Sequence, residues 1–352
     1  MIKHSVSSTM KSCMLCPRKC GADRTQGKTG VCGQTEELRV ARAALHMWEE
    51  PCISGSRGSG AVFFSGCALH CVFCQNHAIA AGTAGKLITV ERLAEIFLEL
   101  QEQGANNINL VTAGHFAPQV VRALDLAKGR GLALPVVYNT SAYEEAETIR
   151  RLDGYVDVYL PDLKYVDSAL SRKYSHAADY FEKAKEAIAE MVRQTGEMEF
   201  AAEADICRRA GAACAGGKAV SQQKETAENQ AAEGRIGVAE YQRRSEQEES
   251  LLMTRGVIVR HLLLPGCVKD SKHVLDYLLD TYGDRIFISI MNQYTPLPHV
   301  AAYPELNRRV TDREYNAVID YALERGLENG FIQEGGTAEE SFIPEFDGSG
   351  VL

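Results

Sequence analysis

Short apolar runs alternate with amphipathic segments along most of this chain. The runs that predict buried strands, rich in Val, Ile, Leu and Tyr, are Ala61–Ser65, Asn107–Val111, Leu134–Tyr138, Tyr155–Leu160, Val257–Leu264 and Ile286–Met291. Helical periodicity recurs over Val90–Gln103, Pro118–Lys128, Glu144–Leu152, Ser168–Arg193, Lys272–Tyr282 and Asp312–Arg325. Continuous apolar strands that alternate with helices are typical of a parallel sheet covered by helices. The pattern therefore predicts an α/β fold, specifically a partial (β/α)6 barrel.

Three closely spaced cysteines follow the first apolar run. Cys67, Cys71 and Cys74 form a C-x3-C-x2-C motif on the predicted turn after Ala61–Ser65. A [4Fe–4S] cluster ordinarily takes four cysteine ligands, so three cysteines leave one iron with an open coordination position. An open coordination position indicates a catalytic site, because catalytic zinc sites keep one position open whereas structural zinc sites are fully coordinated. The structural alternative is a zinc knuckle or three unrelated buried thiols.

A second cysteine group lies near the N-terminus. Cys13, Cys16, Cys20 and Cys32 are spaced C-x2-C-x3-C-x11-C, with glycines beside them. Four thiolates at this spacing can enclose one metal centre, either zinc in a closed site or a second iron–sulfur cluster. The spacing does not decide between these two.

Residues 197–255 interrupt the strand–helix pattern. They are rich in Ala, Glu, Gln and Gly and have few large apolar side chains, which predicts a low-complexity insertion. Cys207 and Cys214 within this stretch are expected to be unpaired thiols. The predicted domains are thus a cysteine-rich metal-binding module at residues 1–50 and a barrel at residues 51–352 that contains the insertion.

Polar residues collect at the ends of the predicted strands. Barrels of this type carry their reactive site at the C-terminal strand ends, and the cysteine triplet lies at such an end. Asp162 and Lys164 share one face of the fourth strand end by period-two alternation. The candidate binding residues at the other ends are Gly114, Asn139, Ser141, Arg260 and Gln293.

Composition and charge argue against nucleic-acid-binding, membrane-spanning and secreted proteins. The chain has 352 residues, a net charge of -9 and 24% charged residues, which argues against a nucleic-acid-binding surface. No apolar run approaches the ~18–20 residues of a membrane span, and the first residues lack the apolar core of a signal peptide. Seven of eleven cysteines fall into the two metal-spaced groups. We therefore expect a cytoplasmic protein rather than a secreted disulfide framework.

Taken together, the motifs resemble the pyruvate formate-lyase-activating-enzyme-like family of radical S-adenosylmethionine (SAM) enzymes, in its uncharacterised branch with an N-terminal cysteine motif. The resemblance covers nearly the whole chain outside residues 197–255. The segments that carry it are "CMLCPRKCG", "WEEPCISGSRGSG", "FFSGCALHCVFCQN", "NINLVT", "LPVVYNTSAYE", "YLPDLKY", "VRHLLLPG" and "SIMNQYTP".

The resemblance implies a [4Fe–4S] cluster on Cys67, Cys71 and Cys74 and reductive cleavage of SAM to a 5′-deoxyadenosyl radical. It places the backbone at Phe73 near the SAM adenine. Gly114 stands where a glycine-rich segment of the family receives the SAM amino group. Asp162 and Lys164 match a family "DLK" motif, and Arg260 resembles an arginine before "PG" on the next strand. Asn139, Ser141 and Gln293 are expected to bind the remaining polar groups of SAM.

The resemblance also implies a substrate class and partners. The radical would abstract hydrogen from a protein, most simply from a glycine Cα of a glycyl-radical enzyme in an anaerobic cell, with a flavodoxin or ferredoxin-type reductant. One alternative is a radical SAM enzyme that acts on a small molecule or peptide. An alternative of another class is a non-catalytic iron–sulfur or zinc-stapled electron-transfer or binding protein.

Overall fold

The computed structural model describes residues 6–211, 238–245, 250–333 and 344–352. The strands are β1 Leu38–His46, β2 Ser59–Phe64, β3 Lys86–Ile88, β4 Ile108–Val111, β5 Val136–Thr140, β6 Val158–Pro161, β7 Glu199–Ala202, β8 Leu251–Leu262, β9 Phe287–Met291 and β10 Gly330–Ile332. The α-helices are α1 Val6–Lys11, α2 Pro51–Ser54, α3 His77–Ala80, α4 Val90–Glu102, α5 Ala117–Gly129, α6 Ala146–Arg150, α7 Ser168–Ser175, α8 Tyr180–Thr195, α9 Glu203–Arg209, α10 Val238–Ser245, α11 Val268–Tyr282 and α12 Asp312–Glu324.

One open, mostly parallel sheet runs through the described residues. The strand order is β10-β9-β8-β6-β5-β4-β2-β1-β3, and β7 pairs with β8. All pairs from β2 to β10 along this path are parallel, while β1 pairs antiparallel with both β2 and β3. The α/β fold and the partial barrel predicted from the apolar pattern are confirmed, and each predicted strand overlaps an observed one.

Several helices combine a capping hydrogen bond at the N-terminus with an apolar face that packs on the sheet. In α4 the Thr89 side chain accepts a hydrogen bond from the Arg92 N–H and satisfies one of the free amides of the first turn. In α12 Thr311 and Glu314 form a reciprocal capping box. The apolar faces pack on the sheet, and every residue of β2 is buried. Such burial is expected of a parallel strand covered on both faces.

The prediction of one helix over Ser168–Arg193 is wrong. The chain forms α7 and α8 instead, because His176 at the end of α7 adopts a left-handed conformation with φ of 53°. A non-glycine residue rarely adopts this conformation, and it ends a helix. The break directly follows Ser175, whose hydroxyl donates a hydrogen bond to Cys71 Sγ.

The predicted limit at residue 50 separates β1 from β2 of one sheet, and the predicted limit at residue 255 falls inside β8. β1 lies inside residues 1–50 yet pairs with β2 along its length. At the edges of the predicted insertion, β7 pairs with the first part of β8, and Phe200 is fully buried. Cys207 is disulfide-bonded, so its prediction as an unpaired thiol is wrong, while Cys214 lies outside the described residues. Among the helices that the structure describes, none is long and apolar enough to cross a membrane.

Candidate active site

The three cysteines of the triplet lie on the loop that follows β2. The Leu69 N–H donates to Cys67 Sγ at 3.4 Å, and the Ser175 hydroxyl donates to Cys71 Sγ at 3.0 Å. The loop is also tied to α7, because the Val72 N–H donates to the Tyr174 carbonyl at 2.8 Å. All three cysteines line one cavity of about 640 Å³.

This donor set fits an iron–sulfur cluster. Hydrogen bonds to the sulfurs, as at Cys67 and Cys71, are a common means of tuning such clusters. Burial raises the pKa of Cys71 to about 11 and raises that of Cys74 as well, while the Lys164 ammonium opposes both shifts. The described residues offer no group of three His, Cys, Asp or Glu side chains gathered to hold one metal ion. In a cluster each cysteine binds a different iron, so the three sulfurs do not need to converge on one point.

The N-terminal cysteines lie together in one small module. Cys13, Cys16 and Cys32 are buried and Cys20 is exposed. A Cβ at Gly30 would lie 3.2 Å from Cys20 Sγ and 3.5 Å from Cys32 Sγ, so the absence of a side chain there lets both sulfurs face the same space. The fully buried Arg24 guanidinium lies 3.7 Å from Cys13 Sγ.

The module packs directly against the loop that carries the triplet. Arg18 donates to the carbonyl oxygens of Ala68 and Leu69, two residues between the first and second triplet cysteines. The His70 ring is hydrogen-bonded to the Val31 carbonyl at 2.8 Å. Gly66, with φ of 89°, needs to be glycine because a Cβ there would overlap the Cys32 carbonyl oxygen. The two cysteine groups are therefore connected by hydrogen bonds from side chains to backbone carbonyl oxygens.

A charged network lines the same cavity. Asp162 accepts from Lys164 Nζ at 2.7 Å and from Arg260 Nε at 2.9 Å. Arg260 also reaches Asn139 Oδ1 at 2.6 Å and Glu49 Oε2 at 3.2 Å. Burial alone would raise the pKa of Asp162, but the two cations hold it below its ordinary value. The carboxylate thus stays charged, and it orients both cations toward the cavity.

Sequence reasoning missed two acidic residues of this network. Glu49 and Glu50 follow β1 and line the cavity. Burial raises the pKa of both carboxyls, and Arg260 opposes the shift in each case. The signal was present in the "WEEP" segment, where two carboxylates precede a proline that starts α2. These two glutamates were not predicted as site residues because their segment does not follow an apolar run of the predicted barrel.

The structure brings most of the predicted SAM-binding residues to the cavity. Its lining includes Phe73, Asn139, Ser141, Arg260 and Gln293. The Phe73 ring packs 6.4 Å from Tyr165 and 6.3 Å from Tyr294, measured between ring centroids.

Gly114 is placed differently from those residues. It begins a 3-10 turn after β4 and lies against Glu144, where a Cβ would overlap the carboxyl group. The cavity is instead lined after β4 by Val111 and Thr112. Thr112 has φ of 60°, a strained conformation for a β-branched residue that is often found at functional sites.

Comparison with known proteins gives matches at three levels. The model of the radical SAM superfamily matches residues 61–196. An uncharacterised protein of Methanocaldococcus jannaschii, MJ0674, is 24% identical over 325 residues, covering 90% of this chain and 76% of its own.

Two solved structures of SuiB from Streptococcus suis match this chain at 12% identity. The SAM-bound structure has a TM-score of 0.43 and covers 77% of this chain, and the structure bound to precursor peptide SuiA has a TM-score of 0.41 and covers 76%. The match covers 48% and 46% of the two SuiB chains, so this chain spans about half the length of SuiB. The superfamily match includes the cysteine triplet and the strands from β4 to β6. Residues 61–196, which are less than half of the chain, are therefore similar to the radical SAM superfamily.

Proposed function

We propose that this chain is a radical SAM enzyme that binds a [4Fe–4S] cluster through Cys67, Cys71 and Cys74. The observation that carries the proposal is that the triplet shares one cavity with Asp162 and Lys164. When bound, the cluster supplies the electron that cleaves SAM to methionine and a 5′-deoxyadenosyl radical. The cavity, of about 640 Å³, leaves space for SAM beside the cysteines.

The residues of this chain have distinct tasks in the proposal. Ser175 and the Leu69 amide donate to two thiolates and stabilise their negative charge. Lys164 and Arg260 are held by Asp162 and offer donors to a carboxylate, such as that of SAM. Asn139, Ser141 and Gln293 supply neutral polar groups for the ribose, adenine and methionyl ends, and Phe73 offers its backbone to the adenine.

A protein is the proposed substrate, with a glycine Cα of a glycyl-radical enzyme as the first candidate. Exposed apolar side chains at the cavity support this choice, because such patches mark protein interaction sites. Met47, Trp48 and Ile332 all line the cavity and are 44%, 59% and 39% exposed. A flavodoxin or ferredoxin-type protein is the proposed electron donor. A small-molecule or peptide substrate is the second candidate, since the cavity is large enough to hold one.

The test is anaerobic purification followed by iron analysis and an assay of SAM cleavage with a chemical reductant. We expect about four irons bound by the triplet, a change of the cluster spectrum on SAM addition, and formation of 5′-deoxyadenosine. Candidate glycyl-radical enzymes are then added and a protein radical is sought by electron paramagnetic resonance. Steady 5′-deoxyadenosine formation with a metabolite, and no protein radical with any candidate, would favour the small-molecule substrate. Absence of cluster and SAM cleavage would favour the binding-protein alternative.

For Cys13, Cys16, Cys20 and Cys32 we propose a closed metal site with zinc or a second iron–sulfur cluster. The support is that all four thiols belong to one module and that Gly30 leaves the space between two of them free. A zinc site would also require the thiols to draw together on binding, because no three such side chains are gathered around one point in the described residues. Counting iron and zinc in the wild-type protein and in Cys16→Ser separates the two metals. The variant should lose the module's metal, while its remaining iron should still respond spectrally to SAM. Equal metal content in both proteins would contradict the proposal.

A further inference from the structure

We propose that Glu50 binds a basic side chain of the polypeptide substrate, a lysine ammonium or an arginine guanidinium, inside the cavity. This inference rests on the proposed radical SAM function and names the substrate class of the same site. It goes beyond that function because the proposed function gives Glu50 no task.

The first observation is an unpartnered oxygen. Glu50 is only 8% exposed and lines the cavity, yet its Oε2 has no hydrogen-bond partner. Glu50 precedes the short helix α2, but its side chain makes no capping hydrogen bond there. A buried carboxylate oxygen without a donor is costly, on the order of 1–3 kcal/mol or more. A ligand donor that enters the cavity would remove this cost.

The second observation is the balance of charge. Three carboxylates, those of Glu49, Glu50 and Asp162, line the cavity with two cations, Lys164 and Arg260. The ion pairs join Asp162 to both cations and Glu49 to Arg260. Within the described residues, Glu50 has no ion pair of its own. With all three carboxylates ionised the network lacks one positive charge, and a basic side chain of the substrate would supply it.

The third observation is the surface next to Glu50. Met47 and Trp48 immediately precede the two glutamates, are exposed and line the same cavity. Apolar and aromatic surface beside a carboxylate suits lysine and arginine, whose aliphatic stems pack on apolar groups while the charged end reaches an anion. An aromatic ring also attracts the cation itself. A polypeptide substrate would therefore place a basic residue past Trp48 and onto Glu50.

The test compares matched peptides with the cluster-loaded protein under anaerobic conditions. Acetyl-Gly-Lys-Gly-amide and acetyl-Gly-Arg-Gly-amide carry a charge, while the norleucine and citrulline counterparts are neutral. Binding is measured by calorimetry, with and without SAM. We expect each charged peptide to bind at least tenfold more tightly than its neutral counterpart, which is about 1.4 kcal/mol. In Glu50→Gln this ratio should fall to near one, and in the exposed control Glu102→Gln it should not change.

Three results would overturn the inference. The first is equal affinity of charged and neutral peptides for the wild-type protein. The second is an unchanged ratio in Glu50→Gln, as expected if Glu50 is simply protonated. The third is loss of SAM affinity in Glu50→Gln, which would assign Glu50 to the cofactor. If Glu50→Gln fails to load its cluster, Glu50→Asp keeps the charge and should retain part of the discrimination. Failure of the wild-type protein to bind or cleave SAM, in contrast, would contradict the proposed function and leave the peptide ratio measurable without SAM.

Discussion

Arg18 Nε donates a 2.8 Å hydrogen bond to the carbonyl oxygen of Ala68, the residue directly after the first triplet cysteine. The same guanidinium donates to the carbonyl oxygens of Leu69, Ser175 and His176. One side chain of the N-terminal module therefore joins the triplet loop to the end of α7, where the Ser175 hydroxyl contacts Cys71. The module supports the loop without supplying a ligand to it.

Replacing Arg18 should loosen the triplet loop while every cysteine remains. Arg18→Ala removes hydrogen bonds to four carbonyl oxygens. We expect a loss of about 1–2 kcal/mol in the closed loop, so that the loop opens roughly ten times more often. Iron release to a chelator should accelerate accordingly. The matched control is the exposed Arg309→Ala, and equal release rates in the two variants would show that the module does not support the loop.

Removing one triplet cysteine should abolish both the cluster and SAM cleavage. Cys71→Ala leaves two thiolates, too few for a stable cluster. The measurements are the visible absorption of the anaerobic protein and the yield of 5′-deoxyadenosine. Cys267→Ala is the control, because Cys267 lies outside the residues that line the cavity and should behave as wild type. Retained cleavage in Cys71→Ala would rule out the assignment.

Asp162→Asn should keep the cluster and lose productive turnover. The carboxylate pairs with two largely buried cations, so its loss leaves both without their main partner. We expect about 3 kcal/mol of lost stability and displacement of Lys164 and Arg260 from the positions that present donors to the cavity. Iron content checks that the cluster is retained, and the radical or substrate assay checks that turnover is lost. Glu305→Gln, an exposed ion-pair carboxylate, is the control for nonspecific charge loss. Normal turnover in Asp162→Asn would leave the salt bridge with a purely structural role.

Glu144 should make the protein less stable as pH rises. Burial raises the pKa of this carboxyl from 4.5 to about 7, while Thr140 and Tyr138 partly oppose the shift. Below pH 4.5 the Glu144 carboxyl is protonated in both the folded and the unfolded state. Between pH 4.5 and 7 only the folded state keeps this proton. The free energy of unfolding therefore falls as pH rises, by up to about 1.4 kcal/mol per pH unit. The whole change is on the order of 3 kcal/mol.

Urea unfolding of the anaerobic protein from pH 5 to 8 measures this dependence. Glu144→Gln keeps an acceptor for the Thr140 hydroxyl but cannot ionise. Its stability should therefore fall less with pH than that of the wild-type protein, by about 3 kcal/mol over the whole range. Glu147→Gln, at an exposed position in the following helix α6, is the matched control and should follow the wild-type curve. Parallel curves for all three proteins would mean that Glu144 does not titrate in this range.

The six barrel strands were predictable because buried parallel strands are continuous apolar runs, and such a run is a local property. β1 was not predicted, since Arg39 and Arg42 interrupt it. These arginines donate to the carbonyl oxygens of Gly85 and Glu345, residues distant in sequence. The helix break at His176 was missed for a similar reason: the Arg18 bond to its carbonyl oxygen spans 158 residues.

The sequence by itself determined the fold class, the position of the cysteine triplet at a strand end, and the shared face of Asp162 and Lys164. Each of these follows from spacing within a few residues, which alternation and strand length fix. The tertiary structure alone decided that the N-terminal module supports the triplet loop, that Gly114 packs on Glu144, and that Glu49 and Glu50 join the charged network. These relations depend on which distant segments meet, because the burial and partners of a side chain are set by the packing of the whole sheet.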